Sequence, residues 1–509
     1  MARGDARTDV ELVEDDGDDA PGAPRDAGTG PTGRGARTAP GPTADDAPRR
    51  TRRRVLALAA VLVAVIVAVA VVGETVARSR EQARVAAVAG VPGVVDVADG
   101  PVRVLRTAAD EGVRRASART SAGLLVSASA GQDGEESVRA IDPTDGSVAW
   151  ETTLIPRGQE LHVPPGGELV PSRGWCRAHG AGEDLLVCLA DNGLSLVGRG
   201  TLTQVRPTVT RLLLLDARDG SVVTDLSGAV GDPMVSRSSV VLDDLVVLGG
   251  ADGGGAHVRA VTADGTVAWQ GTFPTRTTTA FGAHVELHAT TDGVAVATSD
   301  ALRLLDARGV TRQEVELSSA DHVRGTAGDA ALVQTPAGRT VVVRPAGVQR
   351  LPGDWVELTV DDGSTPGLLL TSDDDGLHAW DAAGTPLWTS DRRVGGRDAL
   401  SLAGRVLVGQ GAGVVALDGV TGEQLWRVDG LLPDSGLTTD GRHLFVLGPR
   451  PGASDPEVLV ALDPTDGDVA WRVTLPVEGN VLRSVLGLLA VYSFAPLSDG
   501  TWPVITLLG

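Results

Sequence analysis

The two cysteines, Cys176 and Cys188, are the residues of this 509-residue chain whose types most directly suggest chemistry. They bound the stretch CRAHGAGEDLLVC and flank a glycine-containing turn, so they could face each other across a hairpin. Thiols that lie outside the cytoplasm tend to oxidise. For an extracytoplasmic domain, argued below, the spacing predicts a Cys176–Cys188 disulfide. The alternative is two unpaired, partly buried thiols.

Signatures of the common catalytic classes are missing from the sequence. It contains no Lys and no GxSxG, HExxH or GxxxxGK motif, which removes a Lys nucleophile and three familiar catalytic arrangements. The acidic run SDDDG at 372–376 could form a Ca²⁺-binding turn, but a hairpin loop is commoner and a twelve-residue EF-type loop is absent. We therefore assign no catalytic, cofactor-binding or metal-binding residue, and we expect no cofactor.

One sequence motif is repeated along the chain after residue 100. Its clearest copy, VLVALDPTDGDVAWRVTL at 458–475, predicts an apolar strand, a tight turn and a return strand. Similar copies occur at 138–154 and 414–430. Weaker copies lie between them. The Asp position of the motif falls at residues 142, 216, 262, 306, 344, 381, 418 and 463, mostly 37 to 46 residues apart, which fits one four-stranded propeller blade per copy.

The repeated residue types indicate a structural role. The Asp carboxylate can accept hydrogen bonds from turn N–H groups, and Gly supplies the left-handed backbone position. The Trp offers a large apolar body and one N–H donor, which suits a wedge between blades. We expect weaker blade contacts where Thr224 and Gln313 replace it. The predicted structural positions are Asp142, Gly146, Trp150, Asp216, Gly220, Trp269, Asp306, Asp381, Trp388, Asp418, Gly422, Trp426, Asp463, Gly467 and Trp471.

The pattern ALDxxTGxxxW resembles the pyrroloquinoline-quinone-like repeat of eight-bladed quinoprotein propellers, over about residues 101–509. The resemblance implies an all-β propeller. It does not imply bound quinone, because quinoprotein dehydrogenases typically add adjacent cysteines, Glu and Asn ligands for Ca²⁺ and a catalytic Asp. Here the cysteines are twelve apart, and the two asparagines, Asn192 and Asn480, lie in no recognisable ligand motif.

The number of blades follows from the motif copies and from the two ends of the repeat region. The C-terminal residues supply about three strands, so we expect the strand in Pro101–Thr107 to complete that sheet and close the ring. Eight copies plus this composite sheet could give nine blades. We expect eight, the family norm, and discount the eroded copy around Gly347. The long interval after Asp142 is assigned to two loop insertions, Ile155–Gly174 and Asp191–Thr210.

The N-terminal hundred residues have a different character. Residues 1–54 are rich in Ala, Gly, Pro, Asp and Arg, which predicts a disordered tail. The apolar run Val55–Val72 follows five Arg and is long enough to span a bilayer, so we expect a signal-anchor helix over 55–73. The Arg excess before it places the N-terminus in the cytoplasm. Residues 74–100 are interpreted as a stalk and linker.

Charge limits the partners. The net charge is −21, and all but one unit falls after residue 54. A domain this acidic is repelled by phosphate backbones, so we expect no nucleic-acid partner.

The resulting hypothesis is a single-pass protein of the cytoplasmic membrane whose propeller lies outside the cytoplasm. We expect it to act as a non-catalytic scaffold that binds other envelope proteins through its loops or its two insertions. The alternative is an extracytoplasmic enzyme or small-ligand sensor that uses the central channel. It would need polar residues that converge at the channel mouth.

Overall fold

A computed structural model describes residue 72, residue 75, residues 78–79 and most of the chain from residue 81 to the C-terminus. The gaps after residue 81 are 99, 109–110, 131–134, 159–167, 172–173, 180–183, 198–201, 233–234, 253–254, 276–284, 396–398, 450–455, 476–480 and 494–503. The predicted tail 1–54 lies outside the described residues, as does the predicted span 55–73 apart from Val72. Within the described part, no helix combines the length and apolar character needed to cross a bilayer.

Antiparallel sheets of four strands follow one another along the chain and form the blades of a propeller. The innermost strand of each blade comes first in sequence in blades one to eight. Blade one contains Ala116–Arg119, Leu125–Ala130, Glu136–Ile141 and Val148–Ile155; blade two contains Trp175–His179, Leu185–Asp191, Thr210–Asp216 and Val222–Asp225; blade three contains Val235–Leu242, Leu245–Asp252, Gly255–Thr262 and Val267–Phe273.

The middle of the ring repeats this order. Blade four contains Val285–Thr290, Gly293–Thr298, Ala301–Asp306 and Thr311–Glu316; blade five contains His322–Ala327, Ala330–Thr335, Arg339–Arg344 and Gly347–Pro352; blade six contains Asp354–Val356, Leu369–Ser372, Leu377–Trp380 and Pro386–Ser390. The described helical residues are 72, 75, 78–79 and 81–88, the segments Glu111–Arg114 and Ser227–Val230, and the 3₁₀ turn Pro433–Ser435.

The last blades complete the ring. Blade seven contains Ala399–Leu402, Arg405–Gln410, Gly413–Asp418 and Gln424–Asp429, and a fifth strand, Leu358–Asp361, pairs in parallel along its inner edge. Blade eight contains Thr438–Thr439, Leu444–Pro449, Pro456–Leu462 and Val469–Thr474. Blade nine combines Val481–Val485, Leu488–Ser493 and Val504–Leu508 with the N-terminal strand Val104–Ala108, which pairs with Val504–Leu508 as the sequence predicted.

The expected number of blades was wrong, because the ring has nine blades rather than eight. The copy around Gly347, which we discounted, is the outer half of blade five. That copy lacks the Asp and Trp of the motif, but its strand Arg339–Arg344 carries the buried run Val341 to Val343. Backbone pairing and an apolar centre are sufficient to form a blade without the decorated turn.

The hydrophobic core is divided among the junctions between blades. Each of nine apolar clusters in the described part joins residues of two neighbouring blades. At the closing junction, Leu125 of blade one meets Ile505 and Leu507 of blade nine. The closing junction is therefore packed like the others, and the N-terminal strand holds it covalently to the start of the ring.

The antiparallel order gives each blade two ends with different connections. Turns from the innermost to the second strand and from the third to the outermost strand lie on one face, which we call the turn face. Connections from the second to the third strand, and from one blade to the next, lie on the opposite face, which we call the loop face. The repeated Asp and Gly residues belong to the turn face.

Candidate functional site

The motif Asp residues organise the turns on the turn face. Asp142 Oδ1 accepts the Thr144 amide at 2.8 Å, and Asp463 Oδ1 accepts the Thr465 amide at 2.7 Å. Asp418 Oδ1 accepts two amides, those of Val420 and Thr421, both at 2.9 Å. These hydrogen bonds, that from Thr421 first, hold the pKa of Asp418 below its ordinary value. The same turn pattern recurs at Asp216, Asp306 and Asp381.

Gly and Trp of successive blades fit together at the junctions. Trp388 of blade six lies over Gly422 of blade seven, where an added Cβ would be 2.6 Å from the ring, and its indole N–H donates to the Gly419 carbonyl at 3.0 Å. Gly422 has φ +72°, a conformation that favours glycine. The Trp is therefore an inter-blade wedge. The equivalent pairs are Trp150 on Gly220, Trp269 on Gly309 and Trp426 on Gly467.

Other side chains take the place of Trp at several junctions. Gln349 of blade five lies over Gly384 and donates from its amide to the Ala383 carbonyl at 2.7 Å. At the closing junction, the Arg106 guanidinium of blade nine lies over Gly146. Trp471 lies over no glycine of the described residues and makes an edge contact with His443 and a tilted one with Phe445. Sequence reasoning missed Gln349 and Arg106, because their types differ from the motif.

The junctions at Thr224 and Gln313 have no wedge in the described structure. Gly265, the turn glycine of blade three, has only Leu226 within 4 Å of an added Cβ, at 3.5 Å. Gly347, the turn glycine of blade five, has nothing within that distance. These two junctions are held by their apolar clusters and by hydrogen bonds such as Arg259 to the Ala229 carbonyl and Thr326 to the Ala289 carbonyl.

The two cysteines lie directly opposite each other on the first two strands of blade two. Their sulfur atoms are bonded at 2.03 Å, and the Cα atoms are 4.1 Å apart. Both side chains are fully buried in the cluster between blades one and two. The disulfide therefore ties the innermost strand of blade two to its neighbour within the core, away from any surface where it could act on a substrate.

The two predicted insertions come together on the loop face. Glu168–Pro171 comes from the first insertion, and the hairpin Leu194–Val197 and Leu202–Val205 comes from the second. They form one three-stranded antiparallel sheet, with Leu194–Val197 in the middle. At the base of the hairpin, Asn192 accepts the amides of Thr208 and Val209, both at 3.0 Å. The insertions are thus a built element, where the sequence predicted only loops.

Residues 81–98, which we call the leading segment, lie against the turn face. Arg84 donates to Thr465 Oγ1 at 2.8 Å, and Glu81 forms an ion pair with Arg442. The extended part then crosses the ends of the inner strands: the Val95 amide donates to the Thr439 carbonyl at 2.9 Å, and the Asp96 amide to the Gly487 carbonyl at 2.7 Å. The predicted stalk and linker is thus part of the propeller structure over these residues.

Two hydrogen-bonded triads of Asp, His and Thr occur on the loop face. His257 meets Asp252 Oδ1 at 2.9 Å through Nε2 and Thr272 Oγ1 at 3.2 Å through Nδ1. His378 meets Asp373 at 2.8 Å and Thr389 at 3.3 Å in the same way. The hydrogen bond from His378 lowers the pKa of Asp373. Because one arrangement recurs in blades three and six, it is best explained as a hairpin brace.

The Asp373 brace also accounts for the run SDDDG, which forms a hairpin turn: the Asp373 amide donates to the Gly376 carbonyl. Among the residues that the structure describes, no group of three His, Cys, Asp or Glu is placed to hold a metal ion. The site features of this propeller are therefore its two faces and its axial channel.

A protein-family model matches most of the repeat region. Residues 134–351 and 356–480, more than half of the chain, match a protein-family model described as outer membrane protein assembly factor BamB. None of the curated proteins matches the sequence. Among solved structures, BamB from Moraxella catarrhalis is similar at 15% identity, with 80% of this chain and 99% of that chain covered and a TM-score of 0.36.

A second solved structure is the quinohemoprotein alcohol dehydrogenase ADHIIG from Pseudomonas putida HK5, at 13% identity, 62% and 73% coverage and a TM-score of 0.31. A europium-containing methanol dehydrogenase matches at 12% identity, 80% and 93% coverage and a TM-score of 0.35. The sequence resemblance to pyrroloquinoline-quinone-like repeats is confirmed. On the extent of the family match, the chain belongs to the family described as outer membrane protein assembly factor BamB.

Proposed function

We propose that this chain is a membrane-anchored scaffold whose propeller lies outside the cytoplasm and binds other envelope proteins through its loop face. The anchor is the apolar run Val55–Val72, and the preceding Arg residues keep the N-terminus in the cytoplasm. Membership of a family named for an assembly factor supports a protein-binding role. We do not extend the proposal to assembly in an outer membrane.

The insertion sheet is the observation that carries this proposal. Among the residues that the structure describes, only the loop-face connections of blade two carry an added three-stranded sheet, and its strands come from two separate insertions. Binding residues commonly lie on loops that a rigid scaffold positions. The four-stranded blades form the ring without this extra sheet, so the stability of the ring alone does not explain its presence.

The leading segment supports the choice of face. It occupies the turn face at blades eight, nine and one, through Arg84, Val95 and Asp96. The predicted span ends at residue 73, eight residues before the leading segment begins. The loop face is the one that the leading segment does not occupy.

Site-specific photo-crosslinking in native cells tests the proposal. One variant carries the photoreactive residue at Asp232, an exposed loop-face position beside the insertion sheet, and the control carries it at Val420, a turn-face position that is 75% exposed. We expect defined envelope proteins to be captured from Asp232 and not from Val420. Capture from Val420 alone, or equal capture from both, would contradict the assignment of the binding face.

A second variant locates the contact on the insertion sheet. Replacing the hairpin 194–205 by a short Gly-Ser linker leaves Asn192 and the blade-two strands in place. We expect this variant to lose the Asp232 crosslinks while it retains a wild-type melting temperature. Retention of all crosslinks would place the binding surface elsewhere on the loop face.

A further inference from the structure

A cavity of about 790 Å³ lies between the leading segment and the innermost strands of blades nine, one and two, where they reach the turn face. Its walls include Ser484 of blade nine, Ala118 of blade one and Ala178 of blade two. Innermost strands surround the axis of a propeller, so this cavity is part of the axial channel. Its volume falls in the range of about 300–1,000 Å³ that is usual for small-molecule sites.

One wall of the cavity is apolar and comes from the leading segment. This wall is formed by Val88, Val91, Val94, Val95 and Val97. The segment is held in place by its backbone, since Thr438 Oγ1 donates to the Gly93 carbonyl at 2.8 Å and the Ala98 amide donates to Asp440 at 3.1 Å. The wall is therefore preformed, which lowers the cost of binding an apolar group against it.

Two guanidinium groups line the same cavity, and only one has a carboxylate. Arg119 donates to both oxygens of Asp96, at 3.0 and 2.7 Å. Arg177 lies over the Trp175 ring, 5.4 Å from its centroid, and within the described part of the chain no carboxylate is in ion-pair contact with it. A guanidinium offers a planar fork of donors that matches a carboxylate, as Arg119 shows here.

The environment of Arg177 differs from that of a surface arginine. Arg177 is exposed to solvent and lines the cavity, and partial burial of its guanidinium lowers its pKa. An unpaired cation in such surroundings gains more from an anionic partner than one in bulk water does. The cavity thus combines an apolar wall with the Arg177 guanidinium; of the two carboxylates that also line it, Asp96 is paired with Arg119 and Asp440 accepts the backbone amides of Ala98, Arg442 and His443.

We propose that this cavity binds a small aliphatic carboxylate, with its chain against the valines of the leading segment and its carboxylate on the Arg177 guanidinium. This function is independent of the loop-face scaffold role, because the residues that line the cavity lie at the turn-face ends of the inner strands and on the leading segment. The leading segment would then be both the tether and one wall of a ligand site.

Calorimetric titration of the full-length protein in lipid nanodiscs with octanoate tests the proposal, with empty nanodiscs subtracted. Octylammonium has the same chain with the opposite charge, and acetate has the carboxylate without the chain. We expect saturable binding of octanoate at one site, and binding at least about tenfold weaker for the other two, because each lacks one half of the match. No saturable octanoate binding, or equal octylammonium binding, would overturn it.

Two variants assign the residues. Arg177→Gln should weaken octanoate binding about tenfold through the lost charge-assisted hydrogen bonds, while the control Arg393→Gln, at an exposed arginine outside the cavity, should leave it unchanged. Ala178→Leu narrows the cavity and keeps the guanidinium, and it should also weaken binding. Melting temperatures identify any variant that fails to fold. Unchanged affinity in Arg177→Gln would refute the role of Arg177.

Discussion

At the scale of single residues, the motif works through three complementary tasks. The Asp fixes the turn, the Gly leaves a gap at the surface of the turn, and the Trp of the preceding blade fills that gap and donates to a carbonyl beside it. Trp388 and Trp426 do this at consecutive junctions with nearly the same geometry. The Trp of one motif copy therefore packs on the Gly of the next copy, and the two residues are in contact only in the folded ring.

Comparing Gly422→Ala with a control variant separates two effects of the substitution: the clash of the new methyl group with Trp388 and the cost of a left-handed backbone conformation. Gly404 is the matched control, because its φ of +75° resembles the +72° of Gly422 but an added Cβ there meets nothing within 4 Å. Both variants carry the left-handed penalty of about 1–2 kcal/mol. We expect Gly422→Ala to lose a further ~1–3 kcal/mol by displacing Trp388, measured by urea denaturation. Equal losses would show that the wedge contact contributes little.

The charge on Asp418 predicts a pH dependence. Its pKa is lowered by turn amides, so its stabilising contribution is complete above its unfolded value near 3.8 and is lost as the pH falls through the folded value. Asp418→Asn keeps an acceptor oxygen without the charge. We expect the variant to be less stable than wild type at pH 7, by no more than ~1 kcal/mol because the turn is near solvent.

Melting temperatures of both proteins from pH 7 to pH 3 check this expectation. The difference between wild type and Asp418→Asn should shrink as the pH falls below 4, because the wild-type carboxyl then becomes neutral as well. A difference that stays constant over this range would mean that the carboxylate charge makes no contribution to the turn.

At the scale of elements, the blade is more tolerant than its motif. Blade five forms without the Asp and the Trp, and Gln349 still serves as its wedge on Gly384. Blade nine draws its outermost strand from the other end of the repeat region. What every blade keeps is an apolar cluster against each neighbour, so burial at the junctions is the common requirement, and the turn chemistry refines it.

This tolerance explains what could be predicted from the sequence. Strand alternation and the Asp ruler predict the propeller, the closing strand and the wedge. The eight copies and the closing sheet together could give nine blades, and our expectation of eight was wrong because we followed the family norm and discounted the weak copy around Gly347, where Val341 to Val343 form a buried strand. Neither strand alternation nor the Asp ruler predicts the insertion sheet or the docking of residues 81–98. Both depend on contacts between segments that are separate in the sequence: Glu168–Pro171 pairs with Leu194–Val197, and the Val95 amide donates to the Thr439 carbonyl.

The disulfide gives a prediction at the same scale. Closing a loop of about this length contributes up to roughly 3 kcal/mol in the chain-entropy account, so Cys176→Ala with Cys188→Ala should lower the free energy of unfolding by about that amount. Alkylation of the denatured, unreduced wild type should add no mass, whereas prior reduction should allow two adducts. Two adducts without reduction would show that the thiols are unpaired in the natural protein.

At the scale of the whole molecule, the distribution of charge along the chain predicts its topology in the membrane. The propeller carries nearly all of the negative charge, while the Arg residues cluster just before the apolar run. That asymmetry predicts a cytoplasmic N-terminus and a propeller outside the cytoplasm.

Topology labelling tests this orientation directly. In one form of the protein a single added cysteine replaces Thr29 in the N-terminal tail, and in another it replaces Val420 on the exposed turn face. In intact cells, a membrane-impermeant maleimide should label the second form and not the first, and both should react after lysis. The native cysteines are buried and bonded, so they should stay silent in both forms. Labelling of the tail in intact cells would reverse the orientation, and with it the scaffold role proposed for the loop face.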